Sequence, residues 1–262
     1  MSPGSPIVDA LRAAGCVFAE DEAALLMEAA RDPEHLQHLV EQRIAGMPLE
    51  HLLGWVDFCG TRMVVEPGVF VPRRRTEFLV RQAASLGKPG AVVVDLCCGS
   101  GAIGAAVHDA LGTRELYAAD IDPAAVACAR RNIEPRGGRV YEGDLFAPLP
   151  RHLMASVDVL LVNAPYVPTD SIRMMPPEAR LHEPLTALDG GTDGLAVQRR
   201  VVDGAAEWLA PGGFVLIESS ASQAPETARL FTGAGLVARI ASDAGVDATV
   251  VLGRARESVP HP

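Results

Sequence analysis

The sequence predicts an α/β protein in which a parallel sheet is covered by helices on both faces and a small helical region comes first. Two patterns carry this expectation. From Ala91 onward, short β-branched runs alternate with Ala- and Leu-rich stretches of helical periodicity, as parallel strands joined by helical crossovers require. Before Gly46, apolar residues recur at helical spacing over 7–14, 21–30 and 33–45. A length of 262 residues suits one sizeable domain with a small appendage, because single cores stop growing near about 250–300 residues.

In chain order, the Pro/Ser/Gly-rich stretch 1–6 is expected to be irregular. Glu20 and Asp21 ahead of an Ala/Leu run, and Pro33 at a first-turn position, mark helix starts. Over 49–71 the composition shifts to β-favouring residues (Trp55, Phe58, Val64, Val65, Val69, Phe70, Val71) with turn signals at Cys59-Gly60-Thr61 and Glu66-Pro67-Gly68, which predicts a β-hairpin. Strands are then expected at 91–96, 115–119, 138–141, 157–162 and 214–218. Helices are expected at 102–111, 123–132, 194–209 and 222–231, and a terminal pair of strands at 236–240 and 249–252. These boundaries divide the chain into a helical region over 1–48, a hairpin with a linker helix over 49–88 and the main domain over 89–262.

Composition narrows the function. A hydrophobic content of 48% reads as a folded globule, and no apolar run approaches a membrane span of about 18 residues. Asp9 and Arg12 interrupt the first apolar stretch, which argues against a signal peptide and for a cytoplasmic protein. A formal charge of −10 disfavours direct nucleic-acid binding, which needs clustered Lys and Arg; Arg73-Arg74-Arg75 is the one basic run. Five cysteines with no Cys-x-x-Cys spacing predict neither disulfides nor a zinc site. His35 and His38, three apart on a helix, read as a solvated face rather than a metal site.

Two stretches carry chemistry. Asp95-Leu96-Cys97-Cys98-Gly99-Ser100-Gly101 is a strand, a Gly-rich turn and a helix start, where missing side chains let a ligand approach the backbone. Asp120, followed by Ile121 at the end of the next strand, is placed to accept hydrogen bonds from ribose hydroxyls. The pair points to an adenosine-containing cofactor, with a tight turn and helix cap as the plain alternative. Gly99, Gly101 and Gly104 also fit Gly-x-Gly-x-x-Gly, which keeps a nicotinamide oxidoreductase open. Asp95, four residues before the turn, instead suits S-adenosylmethionine, with Asp144 reaching the adenine amine or simply solvating its loop, and Arg73 and Thr76 closing over the methionine end or Arg73 forming a surface ion pair. The second stretch, Asn163-Ala164-Pro165-Tyr166 after the apolar run 157–162, offers an amide oxygen, a carbonyl and an aromatic face to a flat nitrogen-bearing group. Read alone, it is more often an ordinary strand-to-turn sequence. Glu218-Ser219-Ser220 is read as a cap for the following helix, with pocket lining as the other reading, and Cys97 and Cys98 as small apolar fillers.

Taken together, four segments resemble the release-factor-modifying protein-(glutamine) methyltransferases of the HemK/PrmC type, from about Gly46 to Gly253. They are Gly46 to Gly54; Val71-Pro72-Arg73-Arg74-Arg75-Thr76-Glu77; Asn163-Ala164-Pro165-Tyr166, similar to Asn-Pro-Pro-Tyr; and, most specific, Glu183-Pro184-Leu185-Thr186-Ala187-Leu188-Asp189-Gly190-Gly191-Thr192-Asp193-Gly194-Leu195. The resemblance implies a seven-stranded, doubly wound, Rossmann-like S-adenosylmethionine-dependent methyltransferase sheet with an antiparallel last hairpin. It also implies an N-terminal helical domain that helps recognise a protein substrate. The implied reaction moves the methyl of S-adenosylmethionine, leaving S-adenosylhomocysteine, to a glutamine side-chain amide in a protein substrate, the Gly-Gly-Gln loop of a release factor or a related protein. By position, 97–101 and Asp120 bind cofactor, Leu145 and Phe146 border the adenine, Asn163 to Tyr166 form the catalytic clamp, and Glu183 and Pro184 contact substrate.

The chain departs from the pattern at several points. Ala164 stands for a proline, Arg74 and Arg75 for a proline and an acidic residue, and Cys97 for a glycine, while Asp243 to Thr249 lacks the family's arginines. A DNA adenine methyltransferase, a small-molecule methyltransferase and a cofactor-binding homologue without activity are the competing readings.

Overall fold

The computed structural model describes residues 5–257. Of the irregular N-terminus expected over 1–6, residues 1–4 lie outside the described residues, while Ser5 and Pro6 already belong to helix α1 (Ser5–Ala13). Helices α2 (Ala19–Ala29) and α3 (Pro33–Ile44) follow. Helix α3 starts where sequence chemistry demands, with Pro33 in the first turn and the Asp32 carboxylate accepting from His35 N at 2.7 Å. The three helices bury Leu11, Ala23, Leu26 and Leu39 in a small core of their own.

Leu49–Leu53, expected to open the hairpin, is instead a turn of helix, α4. Gly54 ends it at φ 77, a left-handed cap that a β-carbon disfavours. The hairpin proper is β1 (Trp55–Phe58) and β2 (Thr61–Val64), paired antiparallel. Its two-residue turn, Cys59-Gly60, has φ of 52 and 73, both positive as a tight hairpin turn needs. Two strands alone are marginal in water. Here Phe58, Met63 and Val65 are fully buried against the main domain. Asn132 fixes the dock: its Oδ1 accepts from Val64 N at 2.9 Å, and its Nδ2 donates to Val64 O at 2.9 Å and Ser100 O at 2.8 Å.

After α5 (Glu77–Leu86), the chain alternates β3 (Val92–Leu96), α6 (Ala102–Leu111), β4 (Glu115–Asp120), α7 (Pro123–Ile133), β5 (Arg139–Glu142) and β6 (Val157–Val162). Short helices α8 (Pro177–His182) and α9 (Leu185–Leu188) precede α10 (Ala196–Trp208), β7 (Leu209–Ser219), α11 (Ala224–Gly233), β8 (Val237–Asp243) and β9 (Ala248–Arg254). The main sheet has seven strands in the order β5-β4-β3-β6-β7-β9-β8, parallel as far as β7 and antiparallel for β9 and β8. Separate apolar clusters cover its two faces, so the predicted α/β class holds. The strand β7 is longer than expected: it begins at Leu209, opposite Val157, and passes a register shift before Phe214 meets Val159.

The chain runs outward from β3 through β4 and β5, then returns to lay β6 on the other side of β3. That reversal opens a crevice at the carboxyl ends of β3 and β6, where open α/β sheets bind ligands. Asp95 and Asn163 end or follow these two strands. Among the described residues, no helix is long and apolar enough to cross a membrane, and no group of three or more His, Cys, Asp and Glu is placed to hold a metal ion.

Candidate functional site

A cavity of about 380 Å³ occupies the crevice. One end is built on the turn after β3. Cys97, Gly99 and Gly101 all have positive φ (54, 54 and 75), and Gly101 N closes the turn on Cys98 O at 2.7 Å. The Asp120 carboxylate braces it, accepting from Gly99 N at 2.8 Å and from Asp122 N at 3.0 Å. Burial raises the Asp120 pKa against these N–H donors. Asp95 is wholly buried beneath the turn, with Oδ2 accepting from Gly104 N at 2.8 Å and Oδ1 unpartnered among the described residues.

Burial pushes the Asp95 carboxyl up to about 7, opposed by the Gly104 N–H and assisted by the charge on Asp120. The folded state therefore holds this proton more tightly than the unfolded chain. The associated stability is fully present near pH 4 and is lost as pH rises through about 7. Comparing the pH dependence of Tm with that of Asp95→Asn checks this: the wild type should lose stability relative to the variant between pH 4 and 7 and not above. The thiols of Cys98, which is buried, and of Cys97, half-buried at the cavity wall, are pushed well above their ordinary value by desolvation and by Asp120 and Asp95, so both stay protonated.

The other end of the cavity is formed by the loop after β6. Asn163 lines it, and its side chain makes no hydrogen bond among the described residues. Ala164 is buried in the core beneath the sheet's second face and also borders the cavity. Tyr166 is held at both ends. Gln223 Nε2 donates to its carbonyl at 2.9 Å, while its hydroxyl accepts from Arg75 Nη2 at 2.6 Å and donates to Glu218 Oε1 at 3.4 Å. Burial and the Glu218 charge push the phenol up to about 12, so it stays a donor. The segment after α8 lies on this loop: Val167 N bonds Leu188 O, Gly190 N bonds Val167 O, and Thr169 N bonds Gly191 O.

Comparison with known proteins decides the family. Residues 60–179 match the family model described as the methyltransferase small domain. A release factor glutamine methyltransferase of Geobacter sulfurreducens is 38% identical over 78% of this chain and 72% of its own. The chain belongs to the release factor glutamine methyltransferase family. It is an S-adenosylmethionine-dependent methyltransferase. A 4-amino-L-phenylalanine/4-methylamino-L-phenylalanine methyltransferase of Streptomyces pristinaespiralis is also similar, 33% identical over 78% of this chain and 71% of its own. A solved methyltransferase from Pyrococcus furiosus shares the fold, with a TM-score of 0.58 at 15% identity, covering 75% of this chain and 90% of that one.

The residues present fit the cofactor of this methyltransferase family. A β-carbon on Gly99 would meet nothing within 4 Å, so the turn leaves open space above it. The buried Thr76 hydroxyl, in the wall of the cavity, has no partner among the described residues. Asp120 keeps acceptor capacity for ribose hydroxyls, and Ile121 and Leu145 give apolar walls. When bound, S-adenosylmethionine supplies an electrophilic methyl group on a sulfonium.

Most of the residues expected from sequence converge on this cavity: Cys97 to Ser100, Asp120, Ile121, Asp144, Leu145, Asn163 to Tyr166, Arg73, Thr76, Glu183 and Pro184. Three do not line it. Asp95 is turned inward to Gly104. Gly101 packs against Ala129 and Ile133. Phe146 stacks on Trp208, ring centroids 5.4 Å apart, and abuts Gly204. Arg73, expected near the cofactor's methionine end, lines the cavity and pairs with the buried Glu183, which also draws the Val71 N–H at 3.5 Å. Asp144, expected to reach adenine, bonds Arg200 at 2.6 Å through one oxygen. Of Glu218-Ser219-Ser220, Ser220 makes the helix-start contacts to Gln223, while buried Glu218 turns to Tyr166 and Arg75. Arg75 and Arg200, which line the cavity, and Gln223, which bonds the Tyr166 carbonyl, are neighbours of the site that sequence reasoning missed. For Arg75 alone there was a signal, a basic residue where the family pattern is acidic.

Proposed function

We propose that this enzyme methylates the side-chain amide nitrogen of a glutamine in a protein substrate, the Gly-Gly-Gln loop of a peptide chain release factor. The observation that carries the reading is Asn163 at the cavity wall, its amide without a hydrogen bond among the described residues, followed by Ala164 and the anchored Tyr166 ring. An amide nitrogen is a poor nucleophile because its lone pair is delocalised into the carbonyl. Asn163 Oδ1 and the Ala164 carbonyl each accept one N–H and fix its plane, and Tyr166 packs on that plane. Orientation of this kind supplies up to about 7–11 kcal/mol, so no strong base is required, and the proton leaves late, to water or through Asn163. Asp95, Cys97 to Gly101, Asp120, Ile121, Asp144, Leu145 and Phe146 form or brace the cofactor end, and Glu183 with Pro184 borders the substrate side.

Residues 1–48 are assigned to substrate recognition, 49–88 to the hairpin and linker helix, and 89–262 to the methyltransferase domain, in a cytoplasmic enzyme. Arg43 of α3 supports a link from the helices to the substrate side: it bonds Glu22 Oε2 at 2.6 Å and lies 3.4 Å from Glu178 of α8.

Mass spectrometry of release factor Gly-Gly-Gln peptides after incubation with enzyme and S-adenosylmethionine tests the assignment. One added methyl on the glutamine is expected. An unmodified peptide, with methyl transfer instead to a low-molecular-weight fraction, would favour an aromatic amine, the class named for the Streptomyces pristinaespiralis relative. Ala164→Pro restores a fixed φ where the described residues show no hydrogen bond from the Ala164 N–H. The variant should keep the fold and transfer at an equal or higher rate in single-turnover assays. A large loss of rate would mean that the loop is shaped for another acceptor.

A further inference from the structure

Beside the amide clamp, three elements distant in sequence bring a cation, a phenol and a carboxylate together. Arg75 comes from the short turn ahead of α5, Tyr166 from the loop after β6, and Glu218 from the end of β7. Arg75 Nη2 donates to the Tyr166 hydroxyl at 2.6 Å, and Arg75 Nε lies 3.4 Å from Glu218 Oε1, the oxygen that also accepts from Tyr166. The Glu218 side chain is 5% exposed, and its other oxygen has no partner among the described residues. A carboxylate buried beside a phenol without a nearby cation is costly, and the Arg75 guanidinium supplies that cation. Without Arg75 the phenol keeps only the 3.4 Å contact to Glu218, which is too long to fix a ring firmly.

We infer that Arg75 is a positioning residue for methyl transfer: through the Tyr166 hydroxyl it sets the ring that forms one wall of the acceptor pocket. Glu218 balances its charge, so the wall offers the acceptor a phenol ring with no net charge behind it, as an uncharged amide needs. The inference rests on the amide reading only for the identity of that acceptor. Nothing in the 71–77 segment alone indicates it, because Tyr166 lies 91 residues away.

Two measurements on the full chain test it. The protein has three tyrosines, so tyrosine-selective carbon-13 labelling gives few ring signals, and Tyr166→Phe assigns the one of interest. In Arg75→Gln the Tyr166 signal should shift and show faster ring flipping, while those of Tyr117 and Tyr141 stay in place. In kinetics on the Gly-Gly-Gln peptide, Arg75→Gln should lower kcat about tenfold in the wild-type background and less than about twofold in Tyr166→Phe, with Arg75→Lys recovering part of the rate. A Tyr166 signal unmoved by Arg75→Gln, an unchanged kcat, or an equal loss in both backgrounds would overturn the inference. If the wild-type enzyme leaves the peptide unmodified, the amide reading fails, and the ring signals still decide whether Arg75 sets Tyr166.

Discussion

Replacing Asn163 with alanine should lower methyl transfer by about 10³-fold, the loss typical of removing a group that orients the reacting atoms, while S-adenosylmethionine still binds. The backbone that leads into Asn163 is paired on both sides. Val162 before it is in register with Leu96 of β3 on one side and Ile217 of β7 on the other. The side chain, by contrast, makes no hydrogen bond within the described residues, so its removal breaks no hydrogen bond among them. On the proposed reading, truncation removes one of two acceptors for the substrate amide and leaves the Asp120-braced turn untouched. Single-turnover transfer and calorimetric titration with S-adenosylmethionine separate the two effects. Asn163→Asp keeps an acceptor oxygen but adds charge beside a sulfonium cofactor, so it should retain a measurable fraction of the rate. Full turnover in Asn163→Ala would remove the clamp from the mechanism.

The pattern of the sheet was readable in the sequence because strands buried on both faces appear as Val- and Leu-rich runs, and the Gly-rich turn marks the first crossover. The same burial explains what was not readable. In β3 every residue from Val92 to Leu96 is buried, so the alternation that would tell which way Asp95 points is missing, and its inward turn to Gly104 emerges only from packing. Leu49–Leu53 carries no strong strand signal; the helix there is set by Pro48 ahead of it and by Gly54 at φ 77. The motifs at 71–77, 163–166 and 183–195 could be read locally, each on its own loop. Their mutual contacts could not, since Arg73 finds Glu183 across 110 residues and Asp144 finds Arg200 across 56. Charges at such separations are matched by tertiary placement, and a single sequence holds no record of it.

The strongest consequence of that placement concerns Gly194. Its φ is 75, and a β-carbon there would lie 2.2 Å from Tyr166 O and 2.2 Å from Gln223 Nε2. Gly190 is similarly hemmed in, with a β-carbon 2.7 Å from Gly194 O and 2.8 Å from Pro165 O. The segment after α9 thus lies backbone against backbone on the acceptor loop, and only residues without a β-carbon permit it. Gly194→Ala meets two costs. The left-handed conformation costs an alanine about 1–2 kcal/mol. The clash involves a main-chain carbonyl, so relief requires moving Tyr166 or the segment itself. Either movement breaks the bridge by which Gln223 Nε2 donates to Tyr166 O at 2.9 Å and Asp193 O at 3.0 Å, at about 1 kcal/mol for each bond. A total loss near 3–4 kcal/mol is expected in chemical denaturation. Transfer by the folded enzyme should fall at least about 10²-fold, because a misplacement of about 1 Å at a reacting centre has that effect. Gly60→Ala is the control. Gly60 has φ of 73 and open space where its β-carbon would go, so this variant meets the conformational cost alone and should transfer methyl groups normally. If Gly194→Ala lost no more stability or rate than Gly60→Ala, the close approach of the two backbones would not be what shapes the acceptor loop.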